Sequence, residues 1–287
     1  MFTLSDSPQG IGRILDNGFR LMIAGIGMAA LLLLMMIIVE AILFTAMGAS
    51  FFTKLAALQK GQIPASGLGL FIVFMLLLGI VSMLFNNAMT AKYGAVAYGN
   101  SMSLGQAIAT GVRKILPVLG YGILYTLIMA ISALPLGLLM VLLKPHGLLA
   151  FVVFVVGIIP PLIFSLSLIF GNYLIILDNT GVIESIKRSH NLVWGNWWRT
   201  ALYFTIIIII MLAIMFAVEL TFGLIIGLTS HLDAQKGLSS FNVIVQILNQ
   251  LVSMIFMPVM ISLFIPYFHD LKLRKEGGDL AARVNAI

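Results

Sequence analysis

The chain has no cysteine at all, and Asp, Glu, Lys and Arg make up only 9% of its 287 residues. A soluble domain carries about a quarter charged residues. The first absence removes disulfides, thiol nucleophiles and thiolate metal sites. The second leaves too little charge to solvate the surface of an ordinary soluble domain. Also missing is the alternation of apolar and polar residues that marks the roughly ten-residue strands of a membrane β-barrel. Leu31–Val39 and Ile206–Met215 are instead apolar without interruption.

What the chain does have is apolar length. Hydrophobic residues make up 61%, and six long runs lie near 21–48, 68–91, 115–143, 147–177, 199–228 and 242–268. Each exceeds the roughly 20 residues that a helix needs to cross a hydrocarbon core of about 30 Å. Without water in that core, every backbone amide must bond inside its own segment, and a helix does this. The expected fold is all-α: a single integral membrane domain over residues 1–287 with about six transmembrane helices. The 21–48 run is too long for a signal-peptide core and no small-x-small cleavage site follows it, so it is expected to stay as the first span.

Lys and Arg set the expected orientation. With a cytoplasmic N-terminus, twelve of the sixteen basic residues fall inside: Arg13, Arg20, Lys92, Arg113, Lys114, Lys187, Arg188, Arg199, Lys272, Arg274, Lys275 and Arg283. Lys54, Lys60, Lys144 and Lys236 fall outside. Both termini are then cytoplasmic, with residues 269–287 as a tail. The net charge of +6 reads as a topology signal and an attraction to anionic headgroups. It does not read as nucleic-acid binding, because no soluble fold backs a basic face.

Three segments on that side are amphipathic. In 8–19, Ile11, Ile14, Leu15, Gly18 and Phe19 recur at helical spacing, opposite Arg13, Asp16, Asn17 and Arg20. In 103–114, Leu104, Ala107, Ile108, Gly111 and Val112 repeat the spacing behind a Ser103-x-x-Gln106 capping box. In 182–198, Ile183, Ile186, Val193, Trp194 and Trp197 oppose Glu184, Lys187, Arg188 and Asn191. These suggest three copies of one unit: an interfacial helix, a span outward and a span back. The helices are expected to lie in the headgroup plane, with Trp194, Trp197 and Trp198 at the water boundary.

Polar residues within the runs are the candidate site. Glu40 and Glu219 each stand 20 residues beyond an arginine, Arg20 and Arg199, which places both near the outer headgroups. Gln246, Asn249 and Gln250 form a polar stripe in the last run. Two readings stand: solvated carboxylates beside ordinary interhelical hydrogen bonds, or an outward-facing polar pocket for a headgroup or small solute. Pro160-Pro161 is expected to interrupt the fourth run near its middle. Asp178 and Asp270 read as helix caps. His146, His190, His231 and His269 are dispersed over the two sides, with no metal-binding spacing, and no phosphate-binding loop or nucleophile elbow occurs. No enzyme, metal or cofactor is expected.

Two stretches, GVIESIKRSHNLVWGNWWR at 181–199 and YFHDLKLRKEGGDL at 267–280, resemble the YciC-like bacterial inner-membrane proteins. They are also similar to the membrane domain that precedes some glycerophosphodiester phosphodiesterases. The resemblance implies a bacterial inner-membrane protein of about six helices in a setting of lipid headgroup metabolism. It carries no catalytic residues, and the chain has no catalytic barrel. The expected function is therefore non-enzymatic: organising lipids, anionic phospholipids above all, or a partner membrane protein at the cytoplasmic face. The expected contacts are Arg13, Arg20, Arg113, Lys114, Lys187, Arg188, Arg199, Lys272, Arg274 and Lys275. The alternative is a small transporter or lipid permease that uses the outer pocket.

Overall fold

The computed structural model describes residues 3–47, 68–230 and 256–277. Among them the elements are α1 (Ile11–Met47), α2 (Leu68–Ala97), α3 (Leu104–Arg113), α4 (Ile115–Leu143), α5 (Gly147–Leu168), α6 (Gly171–Leu177), α7 (Val182–Val193), α8 (Trp197–Ser230) and α9 (256–277). No strand occurs among the described residues. Among the described residues five segments are long and apolar enough to cross a membrane: Ile11–Ala46, Gly69–Ala97, Ile115–Leu143, Gly147–Leu177 and Trp197–Val218. The protein is an all-α polytopic membrane protein. The expected sixth span is described only from residue 256 onward.

α9 is the central post, with every residue from 261 to 268 buried. Cross-helix bonds fix the direction of its neighbours. Tyr203 of α8 donates its hydroxyl to Leu263 O at 2.6 Å, and the Thr200 and Tyr267 hydroxyls meet at 3.0 Å. α8 therefore runs antiparallel to α9. So does α1: Gln9, just ahead of it, bonds Asp270, and Gly18 lies so close to Leu263 that a Cβ there would come within 2.7 Å of that side chain. α6 runs parallel, with its Tyr173 ring against Phe264 and Phe268 and Asp178 at its C-terminus paired with Lys272 further along α9. The starts of α1 and α8 thus meet the ends of α6 and α9. This is the charged end of the molecule.

The packed core lies toward that end. One cluster joins Phe170, Tyr203, Phe204, Phe264, Tyr267 and Phe268, with Tyr203 and Tyr267 stacked at 4.1 Å. A second joins Leu21 and Leu32 of α1 to Phe85, Met89 and Tyr93 of α2 and to Ile261 and Ile265 of α9. The α4–α5 hairpin, turned through Lys144–His146 with Lys144 at φ 41°, stands at the periphery. Only 6% of each of its apolar windows is buried by protein, against 22% for α1 and α8. Leu116, Ile123, Leu127, Leu138, Phe151 and Val156 face outward, which costs nothing when the surroundings are lipid.

Several expectations change. α1 is one continuous helix from Ile11, so the amphipathic 8–19 segment is the foot of the first span and not a separate interfacial helix. α7 ends at Val193, and Trp197 and Trp198 open α8. Residues 269–277, expected to begin the tail, continue α9. The expected apolar face of α3 packs on α2 and not in the headgroup plane, and that of α7 is turned differently. α3 buries Ala107 and Gly111, with Gly111 against Leu84 O and Ala88 of α2 and Asn87 Nδ2 donating to Gly111 O at 3.4 Å. α7 buries Ser185, Ser189, Leu192 and Val193 and leaves Ile183 exposed. Small residues admit close helix approach, and in α7 they take the buried face while Ile183 is left outside.

The prolines do not break the fourth run, because α5 passes through Pro160 and Pro161 as helix. The break falls at Ile169–Phe170, where side chains enter the backbone ladder. Ser189 Oγ of α7 accepts the Phe170 N–H at 3.2 Å and donates to Ser167 O at 2.9 Å. Tyr121 of α4 donates its hydroxyl to Leu168 O. Its ring lies against Gly171, where any side chain would collide with it.

Candidate functional site at the charged end

Two carboxylates organise this end. The Asp270 side chain, 4% exposed, pairs with Arg199 of α8 at 3.2 Å and with Arg274, one turn along α9, at 2.7 Å. It also accepts the Gln9 N–H at 2.7 Å. Both arginines donate in turn to Gln9 O, at 2.5 and 2.9 Å. Gln9 of the N-terminal strap (residues 3–10) is therefore gripped through both its backbone N–H and its carbonyl. Asn17 holds the Gln9 side chain at 2.8 Å, and His269 meets Ser5 O at 3.0 Å. Burial, opposed by the Ser5 bond, holds the His269 imidazole below its usual range.

Asp178, the C-cap of α6, is the second hub. It receives Lys272 of α9 at 2.8 Å and Arg188 of α7 at 3.1 Å, and Arg188 reaches on to Glu276 at 2.5 Å. Beside it the buried Lys114 donates to Ile175 O at 2.6 Å and to Asn179 Oδ1 at 2.5 Å. An ammonium there satisfies a terminal carbonyl of α6 and complements the negative end of its dipole. Burial, and then the Arg113 charge, hold the Lys114 amine below its usual range. Asp178 and Asp270 do more than cap helices: they tie α6, α7, α8, α9 and the strap together.

The predicted headgroup residues therefore separate into two sets. Arg188, Arg199, Lys272 and Arg274 are consumed by internal pairs, and Lys114 is buried. Arg20 pairs with Asp16 one turn away at 2.9 Å. Arg13, Arg113, Lys187 and Lys275 are exposed, with no ion pair among the described residues. Trp194 and Trp198 are exposed as well, Trp198 to 81%, while Trp197 is half-buried. Trp194 stacks on His190 at 5.1 Å. A groove of about 730 Å³ opens at this end, lined in part by Ser7, Asn196, Arg274 and Lys275. Its rim includes Gly195 at φ 91°, where a Cβ would come within 3.3 Å of Lys275 Nζ.

The predicted outer pocket is described only in part. Gln246, Asn249 and Gln250 lie outside the described residues, and Glu219 is described only as a position on α8. Glu40 is buried between α1 and α2 at 6% exposure, its Oε1 accepting from Ser82 Oγ at 2.8 Å. This differs from a solvated carboxylate at the headgroups. Among the described residues no cluster of His, Asp and Glu could hold a metal ion. Sequence reasoning missed Gln9, Ser82 and Ser189, and it undervalued both hubs. The one signal available was Asp270 four residues before Arg274, the spacing of a helical ion pair.

Residues 101–271 match the family described as a domain of unknown function, DUF7847. With more than half of its length matched, the chain belongs to that family. The match takes in Lys114, Asp178, Arg199 and Asp270, while the strap and Glu40 precede it. No curated protein and no solved structure matches the chain.

Proposed function

We propose that this protein is a non-enzymatic bacterial inner-membrane protein whose charged end faces the cytoplasm and gathers anionic phospholipids there. The observation that supports this reading is the division of the basic residues. The internal pairs make the end rigid, and Arg13, Arg113, Lys187 and Lys275 remain exposed and uncompensated by any described acid. Each basic side chain near an anionic leaflet contributes about 1 kcal/mol, so the four together would supply roughly 4 kcal/mol. Trp194 and Trp198 would sit at headgroup level. The resemblance to YciC-like proteins supports the same membrane and a setting in lipid metabolism.

The test is lipid retention, read by native mass spectrometry of protein extracted in mild detergent. Replacing Arg13, Arg113, Lys187 and Lys275 together by Gln should strip bound phosphatidylglycerol and cardiolipin, leaving phosphatidylcholine retention unchanged. Equal retention of anionic lipid by variant and wild type would end this reading. The alternative transport reading rests on Glu40 alone among the predicted pocket residues whose side chains are described.

A further inference from the structure

Glu40 combines burial with the lack of a basic partner, whereas the other unpaired acids with described side chains, Asp6 and Glu184, are exposed. Asp178, Asp270 and Glu276 sit in a web of arginines and lysines, and Asp16 has Arg20. Glu40 is buried within the span Ile11–Ala46, and no basic side chain pairs with it among the described residues. Its hydrogen bond comes from Ser82, near the midpoint of the 30-residue helix α2. At about 1.5 Å per residue, Ser82 is some 20 Å from either end of that helix.

A carboxylate taken out of water and left without a counter-charge is strongly disfavoured, and a single hydroxyl does not replace its hydration shell. Among the described residues no basic side chain cancels that charge. We infer that Glu40 and Ser82 form an intramembrane binding site for a proton or a small monovalent cation, held between α1 and α2. The chemistry suits such a ligand. Ser82 Oγ–H donates to Oε1 at 2.8 Å, so the lone pairs of the same hydroxyl stay free to accept. Carboxylate and hydroxyl oxygens together make a hard, all-oxygen donor set. A proton would sit on the carboxyl and a cation would bridge the two side chains. Either way the charge is cancelled without moving the helices. The site is independent of the charged end and holds or fails whatever the lipid-retention test shows.

Dicyclohexylcarbodiimide is a direct probe, since it reacts with protonated carboxyl groups in apolar surroundings. The full-length protein, reconstituted in phosphatidylcholine vesicles, would be treated across a range of pH with sodium chloride or choline chloride, and modified peptides located by mass spectrometry. The inference expects adduct at Glu40, declining as pH rises and absent in Glu40→Gln. Sodium protection at fixed pH would identify a cation ligand, and indifference to sodium would identify the proton. Ser82→Ala removes one of the two oxygen donors, so the labelling profile should differ from that of wild type. A merely structural hydrogen bond between two helices would leave that profile in place. No adduct at Glu40 at any pH, in wild type or in Ser82→Ala, would overturn the proposal.

Discussion

The charged end and the apolar shafts hold together by opposite means. At the charged end, directional bonds join partners that are mostly far apart in sequence: Asp270 reaches Gln9 and Arg199 besides its neighbour Arg274, and Asp178 reaches Lys272 and Arg188. Along the shafts, neighbours are held by shape, as where Gly111 meets Leu84 and Ala88 or Gly18 meets Leu263. The difference follows from the surroundings. Lipid tails are as apolar as leucine, so burying apolar surface between two spans is worth little and close contact must serve. At the charged end a misplaced charge is expensive, so few arrangements satisfy all the partners at once. The two hubs set which helix ends meet, and small residues set how closely the shafts approach.

The heaviest blow to that arrangement is removal of a hub. Asp270→Ala leaves Arg199 and Arg274 facing each other without their shared acid and frees the Gln9 amide. Breaking a buried pair from one side costs about 3–5 kcal/mol, and the arginines, at 24% and 29% exposed, place this case near 3 kcal/mol. Denaturant titration in micelles should show that loss, with the strap becoming open to proteolysis. If the strap stays protected, Asp270 is not what pins it.

A shaft contact is expected to cost less. Gly111→Val drives branched carbons into the Leu84 carbonyl and Ala88, and overpacking of this kind costs about 1–3 kcal/mol. The same substitution decides which way α3 faces. A helix with its apolar side in lipid would accept valine with no loss, or even gain from it. A measured effect near zero would therefore return α3 to the interfacial position that its periodicity suggested.

That contrast also shows what the chain reveals unaided. The spans were legible because continuous apolar runs have one solution in lipid: Ile115–Leu143 was read to the residue, and the Ser103 capping box stands as expected. The face of α3 was legible, since Ala107 and Gly111 belong to its expected apolar side, but its seat on α2 was not, and neither was the face of α7. Periodicity ranks residues by hydrophobicity, whereas Ser185 and Ser189 are buried for their small size. The break at Phe170 was invisible for a related reason, since it depends on Ser189 and Tyr121 arriving from other helices. Pro160 and Pro161, the visible candidates, sit inside an intact helix. The hubs depend on contacts such as Gln9 with Asp270 across most of the chain, which no local pattern encodes. Ser82 beside Glu40 is the same kind of long-range pairing.

The smallest effect expected is a pH dependence of strap docking. His269 meets Ser5 O and Tyr98, with Asp6, Asp270 and Lys272 contributing charge nearby. Because burial lowers its folded-state value, the unfolded chain takes up the proton first as the medium is acidified. The folded state is then at full strength above the unfolded value of about 6.5. It weakens as the pH falls from there toward the lowered folded value, below which the loss is complete. Carboxylates titrate over an overlapping range, so the informative quantity is the difference between wild type and His269→Gln, in which the shared contributions cancel. Unfolding midpoints measured between about pH 8 and pH 5 should fall more steeply for wild type than for the variant. Parallel curves would mean that His269 is hydrated in the folded protein, and the strap would then be held by the Asp270 hub alone.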